Sequence, residues 1–294
     1  MPEIHALATA DGLRLSARRT GAGPVRVVLP NGAYYVEDLA PLWTSRPAVA
    51  YDLRNRGASA TVTDPARLDR GVLADVDDLE HVREHLEVDA MALVAHSYVA
   101  EVALHYAITH PARVTRLVLL GPSGYGVGHG TPPRPDAAAG AVFQRLGALQ
   151  ATAPADPEAR CRAFWEVLAP LYVVDPVHAP RVAAWGRCDS ANERAFPAYW
   201  TAHVEPSLVR LAPTAGDLAR AGCPVLVVHG DHDRSTPYAA GRAWAARLPD
   251  ARLLTVPGAA HAPWLEAPDL VLPALDQFLD GAWPDAAAVV RDDA

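Results

Sequence analysis

The chain has 294 residues, half of them hydrophobic, and its formal net charge is −8 at pH 7. A chain of this length and composition can bury a full core and is typical of one compact domain with an insertion. All 26 basic residues are arginines, and they are scattered singly rather than gathered in stripes. With 34 acidic residues in the same chain, this pattern argues against nucleic acid or an anionic membrane as a partner.

The first residues of the sequence show no basic segment followed by an apolar stretch, so no secretory signal is predicted. No apolar run approaches the roughly 20 residues that cross a bilayer. We therefore expect a soluble cytoplasmic protein without a membrane partner. Cys161, Cys188 and Cys223 are odd in number, widely spaced and without a C-x-x-C pair. Three free thiols are expected, with neither a disulfide nor a zinc site.

Short apolar runs alternate with helical patterns along most of the chain, the clearest helices being 74–88 and 99–110. In the first helix, the apolar residues form an inner face and acidic residues cover the outer one. This alternation predicts an α/β protein with a mostly parallel, doubly wound sheet and active-site loops at the carboxyl ends of the strands. The predicted strands are Arg26–Pro30, Ala48–Asp52, Met91–Ala95, Arg116–Leu120, Val225–His229 and Arg252–Val256.

Ser97 follows directly after the apolar run 90–95 and precedes a helical pattern. A serine exposed at such a junction becomes a nucleophile only if a histidine and a carboxylate can activate it. Asp233 and His261 meet this need, because each follows a late apolar run and completes the chain order serine, aspartate, histidine. Asp231 is the nearby alternative for the acid. The sequence therefore predicts a catalytic triad of Ser97, Asp233 and His261.

The serine lies early in the chain at a sharp strand-to-helix turn, the nucleophile elbow, and its two partners lie late in the chain. This order resembles the α/β-hydrolase superfamily, in its proline-iminopeptidase-like, lid-bearing branch. The resemblance implies the α/β-hydrolase fold with a helical cap inserted after the sixth strand. The family's Gly-x-x-Asp spacing selects Asp233 over Asp231. The segments that carry the resemblance are 51–59, 93–100, 224–230 and 261–268.

The same resemblance implies an oxyanion hole built from two backbone N–H groups. One belongs to Tyr98, directly after the nucleophile, and the other to Ala33, because Gly32 matches the glycine of the family's His-Gly pair. Asn31 stands where the family has the histidine. Two interpretations of Asn31 stay open: it bonds only to neighbouring loops, or it changes what the pocket accepts. Val99 is a further departure, because the family favours a small residue there.

The regular alternation fails between residues 122 and 214, where glycine-rich and proline-rich pieces precede short helical segments with many aromatic residues. By the resemblance, this stretch is the helical cap, and residues 1–121 and 215–281 form the core. Residues 282–294 are expected to be a flexible tail. Two interpretations of the aromatic residues in the cap stay open: they pack the cap onto the core, or they line the substrate site. The predicted substrate-binding residues are Tyr34, Trp165, Trp185, Tyr199 and Trp200.

Two groups of histidines suggest a metal site but are better explained in other ways. The run 229–233 lies on a tight turn, where adjacent side chains diverge. His81 and His85 share a helix face without the surrounding metalloprotease signature. No metal and no cofactor are expected, and His96, next to the nucleophile, is interpreted as structural.

A serine at the elbow, rather than an aspartate, favours acyl transfer over epoxide or haloalkane hydrolysis. The predicted function is a cofactor-independent serine hydrolase that cleaves an ester, lactone or thioester of a small, largely apolar molecule. One alternative is a non-hydrolytic lyase, cyclase or acyltransferase that reuses the triad. Another is an aminopeptidase whose cap acids, Glu193 and Glu205, bind the substrate amine. The only expected partner is the small-molecule substrate, and the oligomeric state is left open.

Overall fold

One sheet of eight strands forms the frame of the described part of the chain. The computed structural model describes residues 3–44, 46–129 and 137–291. The strands are β1 (Glu3–Ala8), β2 (Arg14–Thr20), β3 (Val27–Pro30), β4 (Ala48–Tyr51), β5 (Met91–His96), β6 (Val114–Leu120), β7 (Val225–Gly230) and β8 (Ala251–Val256). Their spatial order is β1-β2-β4-β3-β5-β6-β7-β8. Strand β2 is antiparallel to both of its neighbours, and the other pairs are parallel.

The predicted mostly parallel α/β fold is confirmed. The six predicted strands correspond to β3 through β8 within two residues at each end. The two antiparallel strands at one edge, β1 and β2, were not predicted, because polar residues interrupt the apolar run in each of them. In β2, Leu15 and Ala17 are buried, whereas Arg14, Ser16 and Arg18 on the other face are not. This alternation is typical of a strand with only one face in the core.

Helices cover the sheet and fill the stretch between β6 and β7. They are α1 (Ala40–Trp43), α2 (Pro65–Leu68), α3 (Val72–His85), α4 (Tyr98–Thr109), α5 (Ala137–Thr152), α6 (Pro157–Leu168), α7 (Ala179–Ala184), α8 (Ala191–Tyr199), α9 (Glu205–Arg210), α10 (Ala215–Leu218), α11 (Tyr238–Arg247), α12 (Pro263–Glu266) and α13 (Pro268–Leu279). A π-helical turn, Trp200–Val204, joins α8 to α9. Within the described residues, no helix combines the length and the apolar character needed to span a membrane.

The sheet is buried on both faces, as a doubly wound arrangement requires. In β5, Leu93 and Ala95 face a core shared with α3, α4 and α11. Ala92 and Val94 face a second core shared with α1 and α13. Because parallel neighbours end at the same edge of a sheet, the loops after β3, β5, β7 and β8 meet there.

Helix α3 buries two of the acidic residues that the sequence pattern placed on its outer face. Asp75 and Asp78 are only 3% and 1% exposed. Arg54 donates to Asp78 twice, from Nε to Oδ2 at 2.8 Å and from Nη2 to Oδ1 at 2.6 Å. The prediction was wrong for these two acids, because the compensating arginine comes from the loop after β4 and leaves no trace in the helical periodicity.

The prediction of three free thiols was also wrong. Cys161 on α6 and Cys188 after α7 form a disulfide across 27 positions of sequence, whereas Cys223 is a buried free thiol. The two bonded cysteines meet only because α6 and α7 pack side by side, which their spacing does not reveal. Disulfides persist mainly in oxidising compartments, so this bond weighs against the expected cytoplasmic location.

Residues 282–291, part of the predicted flexible tail, contact the core in this structure. The backbones of Ala288 and Leu253 exchange two hydrogen bonds of 2.8 and 2.9 Å, which pairs the tail with β8. The guanidinium of Arg252 lies 4.7 Å from the ring centre of Trp283. Such pairing depends on a sheet edge that is remote in sequence, and the flexibility of the tail stays a prediction. Residues 292–294 lie outside the described residues.

The described residues between β6 and β7 are fastened to the loop after β4. Arg187 forms two hydrogen bonds with Asp52, of 2.5 and 2.9 Å. The side-chain amide of Asn192 donates to the carbonyl of Ser59 at 2.8 Å. These bonds place the helices of this insertion over the carboxyl edge of the sheet. The division into a core (1–121 and 215–281) and a cap (122–214) stays a prediction.

Candidate active site

Ser97 occupies the sharp turn between β5 and α4. Its φ of 59° and ψ of −133° lie in a region that residues with a Cβ atom rarely adopt. Backbone hydrogen bonds hold the turn, from Ser97 N to Leu120 O at 3.0 Å and from Ser123 N to Ser97 O at 3.3 Å. Val99, the second residue of α4, is 2% exposed and packs in the core, which accommodates its branched side chain. The turn exposes Ser97 to a large cavity.

His261 and Asp233 lie at the ends of β8 and β7 and are directly bonded. His261 Nδ1 is 2.7 Å from Asp233 Oδ2, and both side chains are fully buried. Asp231 has a different partner, because its Oδ1 accepts a hydrogen bond of 2.7 Å from the backbone N–H of Gly258. The structure therefore places Asp233, and not Asp231, against His261. Asp231 instead ties together the two loops that carry the pair.

Asp233 is surrounded by hydrogen-bond donors. Its Oδ1 accepts from the backbone N–H groups of Ser235 and Thr236, each at 2.8 Å. Its Oδ2 accepts from Thr236 Oγ1 at 2.9 Å and lies 3.1 Å from His229 Nε2. Burial raises the pKa of Asp233, but His261 and His229 outweigh burial and hold that pKa well below its usual range. Thr236 and His229 were not identified as supporting residues in the sequence, because their roles depend on how the turn folds.

The charge on Asp233 fixes the proton on His261. A carboxylate only accepts hydrogen bonds, so His261 Nδ1 must carry a proton, and in the neutral imidazole Nε2 then holds the lone pair. Nε2 is buried and has no hydrogen-bond partner among the residues that the structure describes. The bond from Ser97 Oγ to Nε2 is thus not formed here, as is common in structures without a substrate. An unpartnered lone pair on Nε2 would be available to act as a base.

His96 connects the loop after β3 to the loop that carries His261. His96 Nε2 lies 3.1 Å from the carbonyl oxygen of His261, and His96 Nδ1 lies 2.6 Å from the hydroxyl of Tyr34. A carbonyl only accepts, so Nε2 carries the proton and Tyr34 donates to Nδ1. Burial, together with His261, keeps the pKa of His96 far below its usual range. His96 is therefore neutral and in this structure serves as a bridge, as the sequence analysis expected of a structural residue.

The two predicted oxyanion donors lie in the first turns of two helical segments. Tyr98 begins α4, and Ala33 lies in the 3₁₀ turn Gly32–Tyr34. Neither backbone N–H forms a hydrogen bond with another residue in the described ranges, as expected for first-turn N–H groups. A Cβ atom on Gly32 would lie 2.3 Å from the Cβ of Leu29, so this turn requires glycine. Their role in an oxyanion hole stays a prediction.

A cavity of about 410 Å³ opens above Ser97. Its walls come from the loop after β3, the first turn of α4, and helices α6 and α8 of the insertion. Four of the five predicted substrate-binding residues line it, namely Tyr34, Trp165, Trp185 and Trp200. The sequence analysis missed several further aromatic residues of the wall. These are Tyr98, Tyr125, Phe164, Tyr172 and Phe196.

Tyr199 does not line this cavity, contrary to the prediction. It faces a separate cavity beside Asn55 and Thr61, on the other side of α8. Neighbouring residues on a helix point about 100° apart, so Tyr199 and Trp200 face different sides. Phe196 lies one helical turn before Trp200 and lines the same cavity. This spacing of four residues is the sequence signal that would have distinguished the aromatic residues of this cavity from Tyr199.

One buried ion pair reaches the cavity wall. The guanidinium of Arg56 donates to Glu193 at 3.1 to 3.3 Å, and Arg56 Nη1 donates to the hydroxyl of Tyr98 at 2.7 Å. Glu193 also accepts a bond of 2.7 Å from the backbone N–H of Gly57. The same guanidinium lies 3.6 Å from the ring centre of Phe196. The two charges compensate each other, so the wall is close to neutral at this point.

Glu101 supports the segment that leaves β6. Its Oε1 accepts from the hydroxyl of Ser123 and from the backbone N–H of Tyr125 at 3.0 Å, and its Oε2 accepts from Gly126 N at 2.9 Å. Burial raises the pKa of Glu101 to about 7. Ser123 and Tyr125 line the cavity, so one buried carboxyl group fixes part of its wall. In the described ranges there is no group of three histidine, cysteine, aspartate or glutamate residues that could hold a metal ion.

Comparison with known proteins agrees with this architecture. A sequence profile for the α/β hydrolase fold matches residues 29–268. The pimeloyl-acyl-carrier-protein methyl ester esterase of Chromobacterium violaceum is 28% identical over 276 residues, which cover 91% of this chain and 99% of that protein. Among solved structures, an esterase from a Rhodococcus species superposes with a TM-score of 0.74 at 20% identity, over 95% of this chain and 98% of that one.

A second Rhodococcus structure, a 2-hydroxy-6-oxo-6-phenylhexa-2,4-dienoate hydrolase, gives a TM-score of 0.71 at 22% identity, over 94% of this chain and 98% of that one. At these identities, the structural likeness concerns the fold. The profile match covers far more than half of the chain, and the predicted resemblance is confirmed. The chain is an enzyme that belongs to the α/β hydrolase fold family.

Proposed function

We propose that the enzyme is a cofactor-independent serine hydrolase that cleaves an ester, lactone or thioester bond of a small, largely apolar molecule. The observation that carries this proposal is the 2.7 Å bond between His261 Nδ1 and Asp233 Oδ2, which directs the other ring nitrogen, Nε2, away from Asp233 and leaves it without a partner among the described residues. The proposed base, acid and nucleophile come from the ends of three different strands, in the chain order that is typical of this fold.

In the proposed reaction, His261 Nε2 takes the Ser97 proton while Oγ attacks the carbonyl carbon. The oxygen that becomes negative is stabilised by the backbone N–H groups of Tyr98 and Ala33. Asp233 stabilises the imidazolium, which then gives its proton to the leaving group. Water, deprotonated by the same histidine, releases the acyl group from Ser97. The steps need only groups that this chain supplies.

The cavity favours an uncharged, largely apolar substrate. Its wall is rich in aromatic rings, and apolar area buried against them contributes about 25 cal/mol per Å². Its volume of about 410 Å³ suits a small molecule. The relative from Chromobacterium violaceum, whose name describes methyl ester hydrolysis, supports an ester as the bond that is cleaved.

The same contacts argue against the aminopeptidase alternative. Glu193 is neutralised by Arg56, and Glu205 accepts a hydrogen bond of 2.9 Å from the hydroxyl of Tyr125. Glu193 therefore has no charge left to balance a substrate amine, and Glu205 is not among the residues that line the cavity. The proposal therefore treats residues 122–214 as a cap that shapes an apolar pocket rather than as an amine-binding domain.

Labelling with a fluorophosphonate tests the proposed nucleophile. The parent enzyme should react once per chain, with the adduct on the Ser97 peptide, and should hydrolyse 4-nitrophenyl butyrate. The Ser97→Ala variant should not be labelled, and its kcat should fall by about 10⁴ to 10⁶. Labelling elsewhere, or activity of Ser97→Ala within tenfold of the parent, would overturn the proposal.

A further inference from the structure

Asn31 is a buried amide with no partner, and it lines the cavity above Ser97. The residue is only 3% exposed. Its side chain forms no hydrogen bond with any of the described residues, although it precedes the turn Gly32–Tyr34, where an asparagine often caps the backbone. Of the two interpretations of Asn31, bonding to neighbouring loops is therefore contradicted.

The backbone of Asn31 holds the amide in this place. Its φ of 50° and ψ of 25° lie in the left-handed region, which asparagine tolerates better than most residues. Gly32 follows it in a turn that has no room for a Cβ atom. Asn31 and Gly32 are thus both constrained, which fixes the direction of the Asn31 Cα–Cβ bond at the cavity wall.

Several other polar side chains of the cavity wall are already engaged within the protein. Tyr34 donates to His96, Ser123 to Glu101, and Arg56 to Glu193. The amide atoms of Asn31 are not among the fully enclosed atoms that lack a partner, so they are available to a group inside the cavity. A ligand group that both donates and accepts would satisfy the amide oxygen and the amide N–H of Asn31 together, and a hydroxyl is the smallest such group.

We infer that Asn31 is a specificity residue that binds a hydroxyl group on the acyl part of the substrate, close to the scissile carbonyl. This inference rests on the proposed function for the position of the carbonyl. Asn31 lies two residues before Ala33, whose N–H would hold the carbonyl oxygen. His261, which protonates the leaving group, follows β8, whereas Asn31 follows β3 on the other side of β5. The group beside Asn31 therefore belongs to the acyl side, and the substrate class is a hydroxyacyl ester, lactone or thioester.

Matched esters test the inference. The 4-nitrophenyl esters of butyrate, 2-hydroxybutyrate and 3-hydroxybutyrate should be compared by kcat/KM, each corrected for its rate of alkaline hydrolysis. The parent should prefer at least one hydroxy ester by about tenfold or more. Asn31→Gly, which keeps the backbone conformation, should bring that ratio to within about threefold of unity, because the loss of kcat/KM falls mainly on the hydroxy ester. Glu87→Gly is the matched control, because Glu87 is exposed and also has a positive φ of 54°.

Three results would overturn the inference. They are a parent ratio near unity, a ratio that Asn31→Gly leaves unchanged, and an equal fall for all three esters, which would indicate an oxyanion or purely structural role. Binding separates this inference from the proposed mechanism. Calorimetry of the methyl esters with Ser97→Ala should show tighter binding of a hydroxy ester, and this preference should vanish in Ser97→Ala/Asn31→Gly. If the fluorophosphonate fails to label Ser97, the mechanism fails, but these dissociation constants still decide the role of Asn31.

Discussion

Replacing Asp233 by asparagine should inactivate the enzyme through the proton on His261. An asparagine amide has one acceptor oxygen, whereas the carboxylate uses both oxygens as acceptors. Two backbone N–H groups, from Ser235 and Thr236, bond Oδ1 at 2.8 Å. Backbone N–H groups are fixed in position and can only donate, so they bond the amide oxygen of the asparagine. The NH₂ group then faces His261.

This orientation reverses the tautomer of His261. Facing an NH₂ donor, Nδ1 must become an acceptor, and the proton moves to Nε2. Nε2 then has no lone pair with which to take the proton of Ser97. A change of this kind lowers kcat by about 10⁴ in a serine triad, which corresponds to about 5 kcal/mol in activation free energy. The donors Thr236 Oγ1 and His229 Nε2 also lose their acceptor, which should cost about 1–3 kcal/mol of stability.

The assay is kcat on 4-nitrophenyl butyrate, with the melting temperature measured for each variant. Asp231→Asn is the matched control, because Asp231 is exposed and bonds Gly258 N rather than His261. It should retain kcat within about fivefold of the parent. If Asp231→Asn loses more activity than Asp233→Asn, the assignment of the acid is wrong. If Asp233→Asn stays folded and keeps a tenth of the parent activity, the tautomer argument is refuted.

Three more predictions concern the cavity wall and the stability of the fold. Trp200→Ala should change the ratio of kcat/KM between octanoyl and acetyl 4-nitrophenyl esters at least tenfold. Tyr199→Ala should change this ratio less than twofold, because Tyr199 lines the other cavity. Equal effects of the two variants would contradict the placement of α8. The pKa of Glu101, raised from 4.5 to about 7, favours the folded state at low pH, and this contribution is lost as pH rises through about 7. Glu101→Gln should therefore flatten the fall in unfolding free energy between about pH 4.5 and 7 in urea titrations, and an unchanged slope would refute this. Replacing Cys161 and Cys188 by serine should lower the free energy of unfolding by about 3 kcal/mol, from the loop that the bond closes; an unchanged urea midpoint would show that the bond adds no stability.

The sequence predicted the frame because the frame is locally encoded. Strands β3 to β8 are apolar on both faces, so each stands out as a short run, and the loops that follow them hold Ser97, Asp233 and His261. Strand order and the meeting of these loops then follow from the rules for parallel sheets. The resemblance to a known family supplied the position of the insertion after the sixth strand.

What the sequence could not predict depends on contacts between remote segments. The outer-face acid Asp78 is buried because Arg54 meets it, and Cys161 finds Cys188 only when two helices pack together. The tail lies along β8, which no local pattern indicates. Tyr199 and Trp200 are adjacent aromatic residues that the sequence does not distinguish, but in the structure they line different cavities.

Trapping the acyl-enzyme tests the central claim most directly. The parent enzyme is mixed with an excess of 4-nitrophenyl butyrate, quenched with acid within milliseconds, and analysed by intact-mass and peptide mass spectrometry. The account predicts a mass increase of one butyryl group, located on Ser97, that appears with the burst of nitrophenol and is absent in Ser97→Ala. Turnover of the ester with no adduct on Ser97 at any quench time, or an adduct on another residue that forms at the catalytic rate, would contradict it.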